Sequence, residues 1–427
     1  MAASAELYVL LGGERLGTLA TDSRGRLAFG YSQASLERPM PVPLSLSMPI
    51  QAVTFRGRAL ENWLWGLLPD NEYTLQHWAQ EFRVSPRNVF ALLSYLGEDV
   101  AGAVQFVRPE RAAEAAAPGT VHWLSAQEFT TRLKALAADP ALARRATDVG
   151  RFSLAGVQSK TALLFARGRW GVPSGQIPTN RIIKLTQARY QGLIENEYFC
   201  LKLAAAMGLA AARSSVLKRG GVTAIVVERY DREQVDGKFI RIHQEDMCQA
   251  LGVHPSGRYQ NEGGPGVIEL FEQLRSSSES VRDREAFMRA QIFNFLIGVT
   301  DAHAKNFSVL LGEAGAVRLA PIYDIASMWP YGNFKKLKLA MRISANYQFT
   351  RTLPRHWDVL GRKVHLNVQP SDLLAEYATT LPETARVVAD QLHKDGVHHP
   401  IIGKLMDGIV DVCRWNMRQL EAQRHAS

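Results

Sequence analysis

Asp301 and Asn306 stand with four residues between them in Val299-Thr300-Asp301-Ala302-His303-Ala304-Lys305-Asn306, and Asp324 closes the run Pro321-Ile322-Tyr323-Asp324. An acid, an amide and a second acid in that order suit transfer of a phosphoryl group from a nucleoside triphosphate. Such transfer asks for positioning and charge neutralisation rather than covalent help. An aspartate beside the acceptor hydroxyl takes its proton as the new bond forms. Magnesium takes hard oxygen ligands, usually one or two carboxylates plus phosphate oxygens. Asn306 offers a neutral amide oxygen and Asp324 a carboxylate.

Protein kinases space their catalytic loop the same way. Taken singly, Asp301 and Asp324 also suit a cap or turn, and Asn306 a loop. Taken together, they follow an apolar helix (Ile292, Phe293, Phe295, Leu296) and flank two strand-like runs, 307–311 and 317–319, that can pair around Gly312 to Gly315. Such a hairpin would return Asp324 to Asn306. His303 and Lys305 lie between and join the candidate cofactor-binding set, although a packing histidine is the commoner occupant of such a position. Lys305 is equally suited to phosphate or to solvent.

Other parts must position this set. Lys184 ends the strand-like run Arg181-Ile182-Ile183-Lys184, where a lysine can reach the α- and β-phosphates. Glu195 or Glu197, near the start of the next helix, could pair with it or merely favour the helix dipole. Ser153-Leu154-Ala155-Gly156-Val157-Gln158 precedes a strand, and its small residues would let backbone N–H groups approach phosphates. It carries one glycine, so by itself it also reads as a plain turn. Glu228-Arg229-Tyr230 ends a strand and could supply backbone bonds to an adenine ring, or a surface ion pair.

The 427 residues allow two or three domains, and a composition 46% hydrophobic and 21% charged argues against extended disorder. No apolar run is long enough to cross a membrane. The first residues lack the basic start and apolar core of a secretory signal. Cys200, Cys248 and Cys413 form neither a disulfide framework nor a zinc site, which fits a reducing cytoplasm. The formal charge of +9 favours polyanionic partners, or belongs to an ordinary basic protein.

Residues 6–31 read as antiparallel strands. Residues 59–97 read as helices: Trp63, Leu64, Leu67 and Leu68 form one stripe, and Val89, Leu92, Leu93 and Leu96 form another, capped by Gly97. Residues 108–120, Ala-rich with Pro at both ends, read as an exposed linker. Ser125 and Glu128 then spell a capping box. Runs at 161–165, 181–185 and 222–228 read as strands, interrupted by a helix over roughly 195–207, and residues 246–427 read as mainly helical.

Together these segments resemble the HipA family of bacterial serine/threonine kinases, toxin halves of toxin–antitoxin pairs. Pro43-Leu44-Ser45-Leu46-Ser47-Met48-Pro49 and Leu68-Pro69-Asp70-Asn71 resemble its N-terminal subdomain. Residues 153–163 resemble its phosphate loop. Gln244-Glu245-Asp246-Met247-Cys248-Gln249, Gly263-Gly264-Pro265-Gly266, residues 300–308 and Leu337-Lys338-Leu339-Ala340-Met341 resemble its C-terminal lobe. The resemblance implies an α+β, two-lobed, protein-kinase-like fold. Its parts would be an N-terminal subdomain (1–108), a linker and helix (109–150), a small β-rich ATP-binding lobe (151–245) and a helical catalytic lobe (246–427). It implies Asp301 as the catalytic aspartate, Asn306 and Asp324 as magnesium ligands, Lys184 as the ATP lysine, Glu228 to Tyr230 as the adenine hinge, and Ser153 as a serine the family autophosphorylates, which expels the loop and silences the kinase. Ala302 stands where Gly is common and Ser159 where Glu is common; Ser159 adds a second possible phosphosite. ATP, magnesium, a HipB-like helix-turn-helix antitoxin, operator DNA bound through it, and an aminoacyl-tRNA synthetase or other translation protein as substrate follow from the resemblance. Two alternatives remain: a DNA-bound corepressor, and a small-molecule kinase on a similar scaffold.

Overall fold

A computed structural model describes residues 5–143, 153–156, 158–186 and 190–426. Val157 of the expected phosphate loop lies outside the described residues. The chain forms two compact units. The first comprises Met1–Leu185, Leu217–Ser256 and Val309–Ala316; the second comprises Thr186–Val216, Gly257–Ser308 and Val317–Ser427.

The first unit opens with an antiparallel sheet in the order Thr54–Arg56, Leu27–Tyr31, Glu14–Thr21, Ala5–Leu11 and Val104–Val107. Leu7 and Val9 point inward while Tyr8 stays partly exposed, the period-two pattern of a half-buried strand. The helices Arg58–Trp65, Glu72–Phe82 and Val89–Leu96 close the inner face, with Trp63, Leu64, Leu92, Leu93 and Leu96 packed in one core with Val9 and Phe29. Asn71 and Asn88 cap two of these helices by accepting from Thr74 N (3.1 Å) and Ala91 N (3.0 Å).

The segment after Val107 is less open than its composition suggests. Pro109–Arg111 and Ala112–Ala116 form short helical turns, and Ala115 is buried against Leu10 and Val107. Pro109 sits where a helix tolerates it, and the alanines that read as linker are good helix formers. Helix Ala126–Ala138 carries the expected capping box, with Ser125 N donating to Glu128 and Glu128 N to Ser125. A second sheet includes, in order, Val222–Glu228, Arg181–Leu185, Lys160–Ala166, Arg169–Pro173 and Val121–Trp123.

The second unit is mainly helical: Leu193–Ala206, Ser280–Ile297, Pro354–Lys363, Pro370–Lys394 and Ile401–Ala426 pack on one another. Ile292, Phe293, Phe295 and Leu296 are fully buried. Gly298 ends their helix in the left-handed region (φ 75°), and any side chain there would strike the Trp329 ring. The chain leaves that cap directly into the Asp301 loop.

Candidate active site

In the second unit, the turn 301–306 is closed by its own backbone. His303 N donates to Asp301 O at 2.8 Å and Asn306 N to His303 O at 2.9 Å. Asn306 Nδ2 donates to Asp301 O at 2.8 Å. A backbone carbonyl only accepts, so the amide nitrogen must face it and the amide oxygen faces away. That oxygen is the atom a hard cation would take.

Asp301 and His303 sit side by side in opposite environments. The Asp301 side chain is 64% exposed and that of His303 6%, with Nε2 3.8 Å from Oδ1. Burial pushes the His303 pKa down, and the nearby Asp301 carboxylate only partly offsets this. The ring is therefore neutral at neutral pH. His303 Nδ1 is buried without a hydrogen-bond partner.

Tyr259 completes this corner, and nothing in the sequence singled it out. Its hydroxyl donates to Asp301 Oδ1 at 2.7 Å, and its ring meets His303 edge-on at 4.9 Å. Burial and the Asp301 bond push its phenol up to about 12, so it keeps its proton. Tyr259 holds Oδ1, and Oδ2 is the other oxygen of a carboxylate that is mostly exposed.

Asp324 follows the turn between Ser308–Leu311 and Val317–Leu319, with Ala320 N donating to Ser308 O at 2.9 Å. Tyr323 ties this end back to the loop: its hydroxyl donates to Lys305 O at 2.9 Å and accepts from Ser308 Oγ at 2.7 Å. The segments carrying Asn306 and Asp324 are thus joined through residues adjacent to each. Asp324 itself has a left-handed backbone (φ 55°), a strained conformation of the kind that gathers at functional sites. Among the described residues no group of three or more His, Cys, Asp or Glu could hold a metal. One amide oxygen and one carboxylate nevertheless suit magnesium, whose shell water and phosphate oxygens complete. Lys305 is buried, so its stem packs rather than waving in solvent.

In the first unit, residues 153–156 are pinned. Ser153 is fully buried; its hydroxyl donates to Leu67 O at 2.8 Å and its N–H to Asp99 O at 3.1 Å. Gly156 bridges to Pro69, and Asp70 N donates to Gly156 O at 3.3 Å. Gly156 has φ 103°, which a side chain would resist. Lys160 Nζ donates to Ala155 O at 2.7 Å, and Gln158 Nε2 to Leu185 O at 2.8 Å. Leu154 is buried and Ala155 partly so.

Lys184 is buried on Arg181–Leu185, directly opposite Lys160 in the antiparallel register. Two like charges facing across a strand pair are unfavourable unless opposite charge lies near. The register thus sets Lys160, the last residue of the loop motif, beside Lys184. Glu195 and Glu197 are both buried near the start of Leu193–Ala206.

The Glu228–Tyr230 side chains are spoken for. Glu228 pairs with Arg181 at 3.0 Å, the surface ion pair that the sequence left open. Tyr230 donates to Gln244 Oε1 at 2.7 Å. Arg229 is buried in a network with Asp231 (2.8 Å), Thr179 Oγ1 (3.0 Å) and Val100 O (2.8 Å), and its N–H donates to Asn180 O at 3.1 Å. Its side chain is a structural tie within the first unit. Any adenine contact here would come from backbone atoms.

Comparison with known proteins gives the family. A family model described as HipA-like C-terminal domain matches residues 152–391, and one described as HipA N-terminal domain matches residues 7–107. The Sinorhizobium fredii protein Y4mE, named as a candidate kinase, is 38% identical over 360 residues, covering 84% of this chain and 85% of that protein. The serine/threonine-protein kinase toxin HipA of Shewanella oneidensis is 30% identical over 321 residues, 71% of each chain. A solved Shewanella oneidensis complex of HipA, HipB and operator DNA matches with a TM-score of 0.83 at 24% identity, covering 98% of this chain and 99% of that one; this likeness speaks to the fold.

Proposed function

The chain belongs to the HipA family, and from that premise we propose that it is a kinase that transfers the γ-phosphate of ATP to a serine or threonine of a protein. The observation that carries the reading is the Tyr323–Lys305 bond, which joins the Asn306 turn to the Asp324 turn. In this reading Asp301 accepts the substrate hydroxyl proton at Oδ2 while Tyr259 steadies Oδ1. Asn306 Oδ1 and the Asp324 carboxylate hold magnesium, which neutralises charge on the phosphates when bound. His303, buried and neutral, packs behind Asp301, and Lys305 keeps the turn closed. In the first unit, Lys184, with Lys160 opposite, and the loop residues 153–156 and 158 are proposed phosphate contacts, and the backbone at 228–230 a proposed adenine contact.

Ser153 is proposed as an autophosphorylation site. Its hydroxyl is buried and bonded to Leu67 O, so the loop must leave that position before the serine can accept phosphate. A translation protein such as an aminoacyl-tRNA synthetase is the proposed substrate, in keeping with a toxin role. A HipB-like antitoxin and operator DNA are proposed partners, on the model of the Shewanella oneidensis complex. The +9 charge would support a corepressor role alongside catalysis.

An Asp301→Ala variant should lose roughly 10²–10⁴-fold in ATP-dependent phosphorylation, the usual worth of a positioned acid–base group. Equal turnover in variant and parent would overturn the reading.

A further inference from the structure

We propose that Asp99 is a positioning residue that latches the phosphate loop to the hinge, so that loop closure and nucleotide binding are coupled through it. The inference rests on the kinase reading above for its nucleotide, but its geometry does not. Asp99 lies in the turn before Val104–Val107 and is buried. It works in two directions at once. Its backbone carbonyl accepts from Ser153 N at 3.1 Å. Its carboxylate accepts from Thr179 N (3.0 Å), Thr179 Oγ1 (2.6 Å), Arg232 Nη2 (2.8 Å) and Arg241 Nε (3.4 Å), with Arg229 Nη1 3.8 Å away.

The far side of the network closes the circuit. Asp231 pairs with Arg229 at 2.8 Å and Arg232 at 2.9 Å, and accepts from Gly102 N at 2.8 Å. Arg229 and Arg232 both donate to Val100 O, at 2.8 and 3.1 Å. The turn 99–102 and the hinge exit 229–232 are therefore held reciprocally, one carboxylate from each. Burial alone would raise the Asp99 pKa; the three guanidiniums hold it well below the usual carboxylate range. The carboxylate is charged at all working pH values, and the backbone at residue 99 is fixed by it.

Asp99 touches both the loop, through Ser153 N, and the hinge exit, through Arg232 Nη2. Engaging the hinge and seating Ser153 then share one element. A coupling of this kind is reciprocal: nucleotide slows the departure of Ser153, and a weakened latch weakens nucleotide binding.

The test compares Asp99→Asn, Thr179→Val and Thr179→Ser with the parent chain. Thr179→Val removes the hydroxyl that holds the carboxylate; Thr179→Ser keeps it. Hydrogen exchange of the Ser153–Gly156 amides is read first, without nucleotide. Exchange should quicken by about tenfold in Asp99→Asn and Thr179→Val, the scale of one lost anchoring bond, while Thr179→Ser follows the parent. With ATP, KM should rise by about the same factor in the first two variants and kcat should fall less. Phosphate on Ser153 should build up faster in them. Parent-like exchange and KM in Thr179→Val would overturn the proposal, as would equal effects of Thr179→Val and Thr179→Ser. Should Asp99→Asn fail to fold, the Thr179 pair decides. A parent chain that binds no ATP would sink the kinase reading, and the exchange comparison would still decide the latch.

Discussion

The Tyr259 hydroxyl donates a hydrogen bond to Oδ1 of Asp301 across 2.7 Å, joining a half-buried phenol to a mostly exposed carboxylate. An exposed aspartate has several rotamers, and this bond selects one. Tyr259→Phe keeps the ring against His303 and removes only the bond. The expected result is a fall in kcat of about tenfold, within the range for a hydrogen bond to a charged group, with KM for ATP unchanged. Steady-state kinetics would show it. An unchanged kcat would mean that Asp301 is oriented by something else.

Asp324→Asn should act on metal rather than on fold. Asparagine tolerates the left-handed backbone that Asp324 adopts, so the turn is kept. The lost carboxylate should raise the magnesium concentration for half-maximal activity by at least about tenfold, the scale on which even the hydrogen-bond partners of metal ligands act. Calorimetric titration of magnesium into the nucleotide-loaded protein gives a second readout, free of turnover.

Gly298→Ala should weaken the helical unit. A left-handed backbone costs a residue with a side chain about 1–2 kcal/mol, and crowding against a packed ring adds about 1–3 kcal/mol. The Trp329 ring is held by its own bond to Leu296 O at 3.1 Å and cannot simply swing away. A melting midpoint several degrees lower, followed by circular dichroism, is the expected outcome, with activity falling because the cap launches the Asp301 loop.

His243 gives a pH dependence with a definite sign. Its Nε2 faces Leu44 O at 2.9 Å and so carries the proton; its Nδ1 accepts from Ala103 N at 3.3 Å and so does not. Burial pushes its pKa down from 6.5 to about 4. The unfolded chain thus binds the extra proton first, and stability falls as pH drops from about 6.5 toward about 4. Glu245 on the same strand has the opposite sign: burial pushes it up to about 7, so its contribution fades as pH rises through that value. Melts of the parent and of His243→Leu at several pH values separate the two, because Glu245 is common to both. The variant should be less stable at pH 7 and lose less on acidification; parallel curves would remove His243 from the account.

Much of the framework is legible in the sequence because it depends on near neighbours. The hairpin at 5–21, the Ser125–Glu128 capping box and the apolar helix ending at Gly298 each follow from local spacing. So does the closed turn 301–306, whose bonds all fall within six residues. Tyr259 could not be read, since it reaches Asp301 across 42 positions from a loop with no periodicity. The ties of the Arg229 side chain could not be read for a related reason. Its sequence neighbours are hinge-like, but its side chain is taken by Asp231 beside it and by Thr179 and Val100 far from it in the chain. The segment 109–116 shows the reverse error, where composition pointed to solvent and burial of one alanine against Leu10 and Val107 decided otherwise.

The bridge between Pro69 and Gly156 has a consequence for how this protein can be cut or recombined. The loop proposed to cover ATP is seated on carbonyls that belong to Leu67 and Asp99, and the buried Glu245 accepts a hydrogen bond from the Trp63 indole N–H at 2.8 Å. A split between residues 108 and 151 would look harmless on the sequence and would strip the loop of its supports. A fragment that starts downstream of that point should bind nucleotide more weakly than the full chain, as a titration with ATP would show. The N-terminal sheet and the phosphate loop must be inherited as one piece, and a chimera that exchanges one without the other should fold its helices yet hold nucleotide poorly.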